Sequence, residues 1–315
     1  MPCHIRVFKA GDLAAIRTLH EQSQTEPTVD RAATQEEDAL DEEVLRRFVA
    51  EEGGDLMGYG YVARSAWHPE GWYQNEVFVL PAARRRGIGS ELTSRAAAWA
   101  EERGATSLTT WVNGRFPEFE HFALRRGFQE VQRFVTMTLK VDEADNERLA
   151  QWVTQAQQRG VSLFTFEEMG RMSEARQRLY ELNRRLAPLL PGNGDEFPTF
   201  EEYERKTIEA EWFRPEGQLL AAQGEHWVGL VGLGFYEEGR RLHHEFTALD
   251  PVYQGQGIAL ALKAWSVQKA RAWGVQEIRT DNDASNTAII GLNRRLDYDL
   301  QPGVVKLRRT LKAGQ

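Results

Sequence analysis

A short glycine-containing segment occurs twice in this chain, 170 residues apart (251 − 81). The first copy, Pro81 to Gly89, reads PAARRRGIG, and the second, Pro251 to Ala259, reads PVYQGQGIA. The same register continues without a gap through the pairs Leu92/Leu262, Ala100/Ala270, Gly104/Gly274, Thr110/Thr280 and Phe128/Tyr298. A chance match of a few residues would not keep its register over this distance. The sequence therefore predicts two copies of one domain.

Length and composition fit two globular domains. A chain of 315 residues is long enough for about two domains that each bury a core. With 41% apolar and 27% charged residues it is an ordinary globular sequence. No tract approaches the ~20 apolar residues of a membrane span, and the N-terminus lacks the basic and apolar segments of a secretory signal. We expect a cytoplasmic protein that does not associate with a membrane.

Charge and cysteine content exclude several classes of function. The net charge of −8 disfavours a nucleic-acid partner, because such binding needs clustered Lys and Arg. The acidic run between Glu36 and Glu43 is interpreted as a solvated helix face in preference to a site that attracts a basic acceptor. Cys3 is the only cysteine, so an intramolecular disulfide and a cysteine-rich metal site are excluded, and no metal is predicted. Cys3 itself reads as a bystander in preference to a reactive thiol.

Each half shows the same coarse order of predicted strands and helices, which indicates an α/β fold class. In the first half the predicted strands are 5–8, 57–63, 72–80, 107–112 and 128–140, and the predicted helices are 12–19, 40–48, 87–102 and 119–125. In the second half the predicted strands are 161–166, 218–222, 227–236, 241–249, 277–280 and 304–311, and the predicted helices are 172–186, 200–212, 254–273 and 285–296. We place the domains at 1–140 and 161–315, joined by a mostly helical linker at 141–160 in which Leu149 and Trp152 pack against a domain.

The repeated loop has the chemistry of a phosphate site. A long helix that begins at a glycine-containing loop presents unpaired backbone N–H groups and the positive end of its dipole to an anion. Glycine at 87 and 257 allows close approach of the backbone to a ligand, and Gly89 or Ala259 keeps the next position small. The loop lacks the Gly-Lys-Ser/Thr of nucleotide triphosphatases and the three spaced glycines of dinucleotide folds.

The pattern Arg/Gln-x-x-Gly-x-Gly/Ala resembles the GNAT acyltransferase superfamily, whose loop holds the pyrophosphate of acetyl-coenzyme A. The resemblance covers essentially the whole chain and includes the family's closing motif. That motif reads TDNDASN from Thr280 and LNRRLDY from Leu292 in the second half, and FALRRGF from Phe122 in the first. The resemblance implies two tandem GNAT domains, each with a mixed central sheet flanked by helices, and acyl-coenzyme A as co-substrate.

The resemblance also assigns cofactor contacts. Phosphate contacts fall on Arg84, Arg85, Arg86, Gly87, Ile88, Gly89 and Ser90 in the first half, and on Gln254, Gly255, Gln256, Gly257, Ile258 and Ala259 in the second. The pantetheine arm falls on the backbone of Val77, Val79, Thr247 and Leu249, which can be core residues as well. The three arginines make the first loop the more positive one, and we read them as binding residues in preference to a solubility feature. Asn286 either contacts the cofactor or caps its helix.

The two halves differ on the strand before the loop. Residues two apart share a strand face, so His243 and Glu245 are expected on the face that leads through Thr247 to Leu249. Tyr73, Asn75 and Val77 are expected on the equivalent face of the first half, with Glu76 pointing away and no candidate base. His244, on the other face of its strand, is expected to be structural.

In GNAT-type transfer an amine attacks the thioester directly, so the resemblance calls for a base and a donor to the leaving thiolate. His243 suits the base because its unperturbed pKa is about 6.5. Glu245 could serve alone, through a water, or by orienting His243, and the alternative for both residues is a satisfied polar group on a sheet surface. The position of the family's usual tyrosine donor holds Ala123 in the first half and Asn293 in the second. Either Asn293 only hydrogen-bonds the cofactor, or another group such as Tyr253 or solvent supplies the proton.

These observations predict an N-acetyltransferase whose chemistry lies in the second half, as in tandem GNAT enzymes of the mycothiol synthase type. The acceptor is expected to be a small-molecule or peptide amine, and the protein a monomer or homodimer. The acceptor pocket is expected from residues 21–41 and 189–203. The alternative is a non-catalytic acyl-coenzyme A-binding sensor or assembly module that kept the loops and lost the chemistry.

Overall fold

The computed structural model describes residues 3–23, 44–64, 69–170, 173–189, 197–236 and 240–311. The chain forms two compact units. Unit 1 comprises residues 1–133 and 304–315, and unit 2 comprises residues 134–303. Within the described residues, every helix is too short or too polar to cross a membrane.

Apart from the strand Leu45–Glu52, where a helix was expected, the elements follow the order predicted from the sequence. The strands are β1 (His4–Val7), β2 (Leu45–Glu52), β3 (Asp55–Ala63), β4 (Trp72–Val79), β5 (Ser107–Asn113), β6 (Gln129–Lys140), β7 (Val161–Thr165), β8 (Phe213–Gln223), β9 (His226–Tyr236), β10 (Arg241–Leu249), β11 (Glu277–Asp283) and β12 (Asp299–Thr310). The helices are α1 (Leu13–Gln22), α2 (Ile88–Glu101), α3 (Pro117–Leu124), α4 (Asn146–Gln158), α5 (Ser173–Leu186), α6 (Phe200–Tyr203), α7 (Ile258–Ala272) and α8 (Thr287–Arg295).

Unit 1 is a mixed sheet covered by helices on both faces. Its strand order is β1-β2-β3-β4-β5-β12, and β4 and β5 are the parallel pair. One apolar cluster joins the sheet to α2 through residues such as Leu92 and Ala96, and a second joins it to α1 through Ile16 and Leu19. The expected α/β class with helices flanking a mixed sheet is confirmed for this unit.

Unit 2 repeats the arrangement. Its strand order is β6-β11-β10-β9-β8-β7, with β10 and β11 parallel. Helix α7 packs on one face in a cluster that includes Leu249 and Leu262, and α5 packs on the other face in a cluster that includes Leu179 and Leu182. The strand before each loop therefore has one face toward the loop helix and the opposite face toward an earlier helix.

The last strand of each unit comes from the other half of the sequence. Val304–Thr310 of β12 pairs with β5 in unit 1, whereas Phe134–Lys140 of β6 pairs with β11 in unit 2. These segments occupy the same position in the repeat, 170 residues apart (304 − 134). Each therefore pairs with the strand beside which the equivalent segment of the other half would be expected. The compact units thus divide the chain differently from the predicted ranges 1–140 and 161–315.

The segment 141–160 is helical and belongs to unit 2. Asp145 caps α4 by accepting hydrogen bonds from the backbone N–H groups of Glu147 and Arg148. Leu149 is buried, and Trp152 packs against the same core as α7. The expectation of a packed, mostly helical segment is confirmed.

One predicted helix is wrong and another is shorter than expected. The helix expected at 40–48 is a strand from Leu45, because Phe48, Val49 and Ala50 are buried between β1 and β3, and this pairing outweighs the helix propensity of the flanking residues. Residues 40–43 and the acidic run lie outside the described residues. The helix expected at 200–212 ends earlier, because a π-helical turn at Glu204–Ile208 closes it before β8 begins at Phe213.

Candidate active site

A β-bulge in β10 shapes the site of unit 2. His244 lies opposite Leu233 and Phe246 lies opposite Gly232, so Glu245 has no partner on β9. The extra residue bends the strand and reverses its alternation. Phe246 therefore follows His243 on the face toward α5, and the Glu245 carboxylate lies on that face as well.

The bulge corrects the predicted sharing of faces. Thr247 and Leu249 were expected beside His243 and Glu245, but Leu249 packs in the cluster that contains α7, whereas Ala248 packs with α5. The expectation was wrong because period-two alternation fails across an inserted residue. Thr247 faces the same side as Leu249, and a backbone contact of either residue with pantetheine stays a prediction.

His243 is held between two carboxylates. Its Nδ1 lies 3.0 Å from Oε1 of Glu245, and its Nε2 lies 3.1 Å from Oδ2 of Asp281 on β11. Tyr236 donates its hydroxyl to the same Glu245 oxygen at 2.7 Å. Gly234 leaves room for this carboxylate, since a Cβ there would lie 2.7 Å from Oε1 of Glu245.

The two carboxylates decide the charge of His243. Burial lowers the pKa of the imidazole, but the hydrogen bonds and negative charges of Asp281 and Glu245 outweigh burial and raise the pKa to about 9. The His243 side chain keeps 20% of its surface exposed and the Glu245 side chain 28%. His243 is therefore an imidazolium at neutral pH, and Glu245 is the more accessible of the two groups.

Asp281 and Tyr236 are site residues that the sequence reasoning missed. Thr136 donates its hydroxyl to Asp281, and the Arg279 guanidinium lies 3.4 Å from the same carboxylate. Burial raises the pKa of Asp281, but the His243 hydrogen bond and the other partners outweigh burial and lower the pKa overall. Asp281 stood within the quoted TDNDASN motif, which was the available signal, but it is 38 residues from His243 in sequence.

The parallel strands separate beside this site. Only Arg241, Leu242 and His243 of β10 pair with β11, and the last pair is His243 with Arg279. Beyond that pair the backbones diverge, so strand edges are available to an extended ligand, as the resemblance requires of pantetheine. In unit 1 the corresponding last pair is Gln74 with Thr109, and the strands diverge before Val77 and Val79, both of which are half-buried against the α2 core.

The loop of unit 2 has the backbone form of an anion cradle. Gly255 and Gly257 have φ values of 74° and 82°, in the left-handed region that glycine adopts readily. A Cβ on Gly257 would approach only the Arg159 guanidinium, at 3.8 Å, so the space in front of the loop is open. Helix α7 begins directly at Ile258, and Ala259 follows in its first turn. These features suit a phosphate.

Positive charge reaches this loop from a residue that the sequence did not indicate. Arg159, just after α4, donates to the backbone oxygen of Gln256 at 2.8 Å. The Gln256 side chain donates to the oxygen of Val252 at 3.4 Å, and Gln254 is exposed. Arg159 lies 97 residues from its partner in sequence, so only the fold brings it to the loop.

The arginines of the first loop are largely engaged by the protein. Arg84 donates to the backbone oxygens of Val79 and Ser23, and Arg86 donates to both Glu52 carboxylate oxygens at 2.7 and 2.9 Å. Arg85 adopts φ 63°, the same left-handed form as its repeat counterpart Gly255. The expected advantage in phosphate-binding charge therefore rests mainly on Arg85.

The helix start in unit 1 is covered by side chains of α3 and the residues after it. Arg126 donates to the hydroxyl of Ser90, a predicted cofactor residue, and its guanidinium stacks 3.4 Å from the centre of the Phe122 ring. The same ring lies 3.1 Å from the position of a Cβ on Gly89. Gly87 has φ 87° with open space beside it, and Ile88 is buried.

The strand of unit 1 has no bulge between Gln74 and Val79, so Glu76 points away from the face of Tyr73, Val77 and Val79, as predicted. The prediction was wrong in taking that Tyr73 face as the equivalent of the His243 face. Since Tyr73, Val77 and Val79 pack toward α2, Gln74 and Glu76 point to the α1 face, which matches the face of His243 in unit 2. Glu76 accepts the backbone N–H of Trp111 at 3.0 Å and lies 3.4 Å from the Gln74 amide. On this face of β4 the strand itself has a carboxylate, and Gln74 is the counterpart of His243. The one histidine over the face among the described residues is His20 of α1, whose ring lies 4.2 Å from the Phe78 ring.

The two predicted asparagines have different surroundings. Asn286 caps α8 by accepting the backbone N–H of Ile289 at 3.2 Å, so the capping alternative is confirmed. Asn293 is fully buried, and its Oδ1 accepts a hydrogen bond from Lys263 at 2.5 Å. Its repeat counterpart Ala123 has no polar side chain. A contact of Asn286 or Asn293 with a cofactor stays a prediction.

With this geometry in view, similarity to known proteins defines the family. Residues 13–128 and 176–298 match the model of the acetyltransferase (GNAT) family. The two matches together cover more than half of the chain and fall on its two halves. The chain therefore belongs to the acetyltransferase (GNAT) family, with the motif present twice, and it is an N-acetyltransferase by class.

Among individual relatives, the chain is similar to mycothiol acetyltransferases. It is 26% identical over 259 residues to that of Catenulispora acidiphila, covering 81% of this chain and 77% of the relative. It is 27% identical over 260 residues to that of Geodermatophilus obscurus, covering 79% and 78%.

Solved structures agree on the fold. A GCN5-related N-acetyltransferase from Sphaerobacter thermophilus matches with a TM-score of 0.72 and 20% identity over 99% of this chain and 97% of that one. A tandem GNAT protein from the clavulanic acid biosynthesis pathway matches with a TM-score of 0.69 and 18% identity over 100% and 99%. The predicted tandem GNAT architecture is confirmed.

Proposed function

We propose that this protein transfers an acetyl group from acetyl-coenzyme A to an amine, and that the chemistry takes place in unit 2. The observation that carries the proposal is the His243–Glu245–Asp281 cluster at the point where β10 and β11 separate. The open backbone cradle at Gly255–Gly257 lies at the end of the same strand and suits the pyrophosphate. Unit 1 has the cradle but not the cluster.

The co-substrate supplies an acetyl thioester whose carbonyl carbon the amine attacks. Backbone N–H groups at the start of α7 and the Arg159 guanidinium hold the phosphates in this proposal, with Gln254, Gln256, Ile258 and Ala259 around them. The separated edge of β10 from Thr247 to Leu249 orients the extended arm. The chain's contribution to the chemical step is then positioning and removal of one proton from the attacking amine.

We assign proton removal to Glu245 and orientation to His243. With a pKa of about 9, His243 already holds a proton at neutral pH and cannot accept another. The Glu245 carboxylate is accessible, and His243 and Tyr236 fix its position on the bulge. Glu245 therefore takes the amine proton directly or through a water, while Asp281 balances the imidazolium. This assignment selects one of the alternatives that the sequence left open.

The acceptor is an amine of small-molecule or peptide origin. The site carries two carboxylates around one imidazolium, so its nearby charge favours a cationic acceptor that arrives as an ammonium. The ammonium releases one proton to solvent to free its lone pair, and Glu245 takes the second proton as the neutral amine attacks. The relatives named mycothiol acetyltransferase make amines related to mycothiol the first acceptors to test. Unit 1, with Arg84, Arg86 and Ser90 engaged by the protein, is assigned a structural or binding role without turnover.

The rival function is a non-catalytic acyl-coenzyme A sensor or assembly module. A pair of matched variants separates it from the enzyme. Glu245→Gln removes the proposed base in unit 2, and Glu76→Gln removes the carboxylate on the matching face of unit 1. Free thiol released from acetyl-coenzyme A is measured across an amine panel.

For the better amines we expect Glu245→Gln to lower the rate by about 100- to 10,000-fold, the usual contribution of general base catalysis, while Glu76→Gln leaves it unchanged. Binding of coenzyme A to Glu245→Gln, measured by calorimetry, should stay near the wild-type value. If the wild-type protein binds acetyl-coenzyme A but releases no thiol with any amine, the sensor function replaces the enzyme. A loss of rate in Glu76→Gln equal to that in Glu245→Gln would contradict the assignment to unit 2.

A further inference from the structure

Unit 2 buries a lysine that the proposed chemistry has not used. Lys263 on α7 has no exposed surface, and its Nζ donates to the neutral Oδ1 of Asn293 at 2.5 Å. The Tyr298 ring lies 5.3 Å away, and His244 and Ser266 complete the polar surroundings. Among the described residues, no carboxylate pairs with this ammonium. A buried cation without a counter-ion is costly, so its presence calls for a reason.

The fold itself does not require the lysine. In unit 1 the repeat positions of Lys263, Asn293, Ser266 and Tyr298 hold Thr93, Ala123, Ala96 and Phe128, all of them buried. Helix α2 packs on its sheet through an apolar core that includes the last three of these. The same architecture thus forms without an ammonium. The polar cluster is confined to the unit that carries His243 and Glu245.

The cluster lies beneath the point where β10 and β11 separate. His244 follows His243, the last β10 residue paired with β11, and its Nε2 lies 3.3 Å from the Ser266 hydroxyl on α7. Met137 pairs with Thr280, the first β11 residue beyond that pair, and the Asn293 amide donates to its sulfur at 3.5 Å. Lys263 is therefore tied through its neighbours to both sides of the strand separation.

His244 adds a second unmet polar group at the same place. Burial and the neighbouring Lys263 hold the pKa of its imidazole well below the usual value, so the ring is neutral. Its Nε2 faces the hydroxyls of Ser266 and Tyr298, whereas its Nδ1 is buried with no partner among the described residues. Buried polar atoms are nearly always paired. Within the part of the chain that the structure describes, the cluster therefore contains an unpaired polar atom beside the separated strands as well as an ammonium without a counter-ion.

We propose, on the basis of the function proposed above, that the Lys263 ammonium stabilises the coenzyme A thiolate as it leaves. In the transfer, the amine nitrogen forms a bond to the acetyl carbon and the carbon–sulfur bond breaks. The electron pair of that bond stays on sulfur, and the amine proton passes to Glu245. The negative charge on sulfur faces Lys263, and the thiolate takes a proton from solvent when the product leaves.

The electrostatics of Lys263 match this role. Burial lowers the pKa of its ammonium to about 7, because no negative charge offsets the loss of water. A thiolate nearby supplies that charge and favours the protonated lysine. The other groups that face Lys263 are Asn293, Tyr298, Ser266 and the neutral His244, and none of them is an anion. The sulfur is thus the one anion that the proposed reaction itself brings to this cluster.

The test measures the thiol of bound coenzyme A by the ultraviolet absorbance of its thiolate, titrated against pH. Lys263→Thr installs the residue that unit 1 holds at this position, and Lys269→Met removes a less buried lysine of the same helix as a matched control. Desulfo-coenzyme A, which lacks the thiol, reports binding of the rest of the molecule. Because the substitution lies in unit 2, the difference between the thiolate titration curves of wild type and Lys263→Thr reports the thiol bound there, and the signal of any thiol bound in unit 1 cancels.

An opposite charge within about 4–6 Å lowers a pKa by about 1–3 units, so we expect the bound thiol to titrate that much lower in wild type than in Lys263→Thr. Lys269→Met should match wild type, and desulfo-coenzyme A should bind both variants equally. Asn293→Asp gives Lys263 a permanent counter-ion and should raise the thiol pKa toward the Lys263→Thr value, which covers the case in which Lys263→Thr does not fold.

Equal thiol titrations in wild type, Lys263→Thr and Asn293→Asp would overturn the role of Lys263 and leave the proposed function intact. Failure of the wild-type protein to bind either coenzyme A or desulfo-coenzyme A would overturn both. A slower turnover in Lys263→Thr without a change in the thiol titration would also count against the proposal, because it would mark a purely structural effect.

Discussion

The strands β4 and β10 hold the same place in the two units and differ by one inserted residue. From Pro81 and Pro251 onward the repeat offset is 170, but the paired residues Gln74 and His243 are 169 apart because Glu245 is extra. The insertion carries the proposed base and places Phe246, instead of Thr247, on the face of His243 and Glu245. One bulge, placed beside the separation of two parallel strands, thus adds a carboxylate next to His243 in unit 2 that has no counterpart in unit 1.

The neighbouring residues changed together with the strand. In unit 2 a glycine at 234 makes room for the Glu245 carboxylate, and a buried lysine lies under the strands. In unit 1 the cradle is kept, but Arg84 and Arg86 donate to protein groups and Arg126 donates to the Ser90 hydroxyl. A duplicated fold therefore preserves backbone form more strictly than chemistry: even Arg85 repeats the left-handed conformation of Gly255.

The largest effect on stability is expected from His243→Gln, which gives unit 2 the residue that unit 1 has at this position, Gln74. The folded pKa of about 9 lies above the ordinary value of about 6.5, so the folded state binds the extra proton between these values. The stabilisation is fully present below pH ~6.5 and is lost as the pH rises through about 9. We expect wild type to exceed the variant by about 2 kcal/mol near neutral pH.

Urea unfolding of both proteins between pH 6 and 10 checks this prediction. The gap in unfolding free energy should close as the pH rises past about 9. The contribution of the buried Lys263 to stability rises with pH, because its folded pKa of about 7 lies below its ordinary value. Lys263 is present in both proteins, so this contribution cancels in the difference between them. Gln74→His in unit 1 is the control. A gap that does not vary with pH would show that the two carboxylates do not hold a proton on His243.

A smaller effect comes from the glycines that open the loop helices. Gly257→Ala and Gly87→Ala each force a side chain into φ near 82° or 87°, at a cost of about 1 kcal/mol, with no clash in either case. The stability losses should therefore be equal. The KM for acetyl-coenzyme A should rise only in Gly257→Ala. An equal rise in KM for both variants would mean that both loops take part in the reaction, and would contradict the difference between the two units.

The smallest effect concerns the charge at the loop of unit 2. Arg159→Ala removes the guanidinium that donates to Gln256, and a single exposed charge near a helix start is worth about 0.3–1 kcal/mol. We expect a rise of roughly two- to fivefold in the KM for acetyl-coenzyme A, reduced at high salt, with kcat unchanged. Arg86→Ala in unit 1 is the matched control and should leave KM unaltered. A salt-independent change would assign Arg159 a packing role.

The sequence predicted the fold well where its signals were local. The register of the repeat, the glycines at loops and helix ends, and the helix after each loop identified both domains. The alternation of residues along β10 correctly placed His243 and Glu245 on one face. The alternation failed beyond Glu245, because a bulge has no mark in a single sequence. The helix expected at Leu45–Phe48 failed because pairing with β1 and β3 decides that segment.

The rest of the site depends on contacts between distant residues. Asp281 reaches His243 across 38 residues, and Arg159 reaches its loop across 97. Lys263 fell within a correctly predicted helix, but nothing in the sequence indicated that its side chain is fully buried with a neutral partner. Burial and charge compensation are properties of packing, so they appear only when the elements are assembled.

The exchanged strands tie the order of synthesis to the order of folding. The sheet of unit 1 needs Val304–Thr310, whereas the equivalent Phe134–Lys140 are made 170 residues earlier (304 − 134). During synthesis the early strand is the one available to the open edge of β5, and it must finally pair with β11 instead. Removal of the segment Val304–Thr310 would thus damage the unit built mainly from the first half of the sequence and spare unit 2.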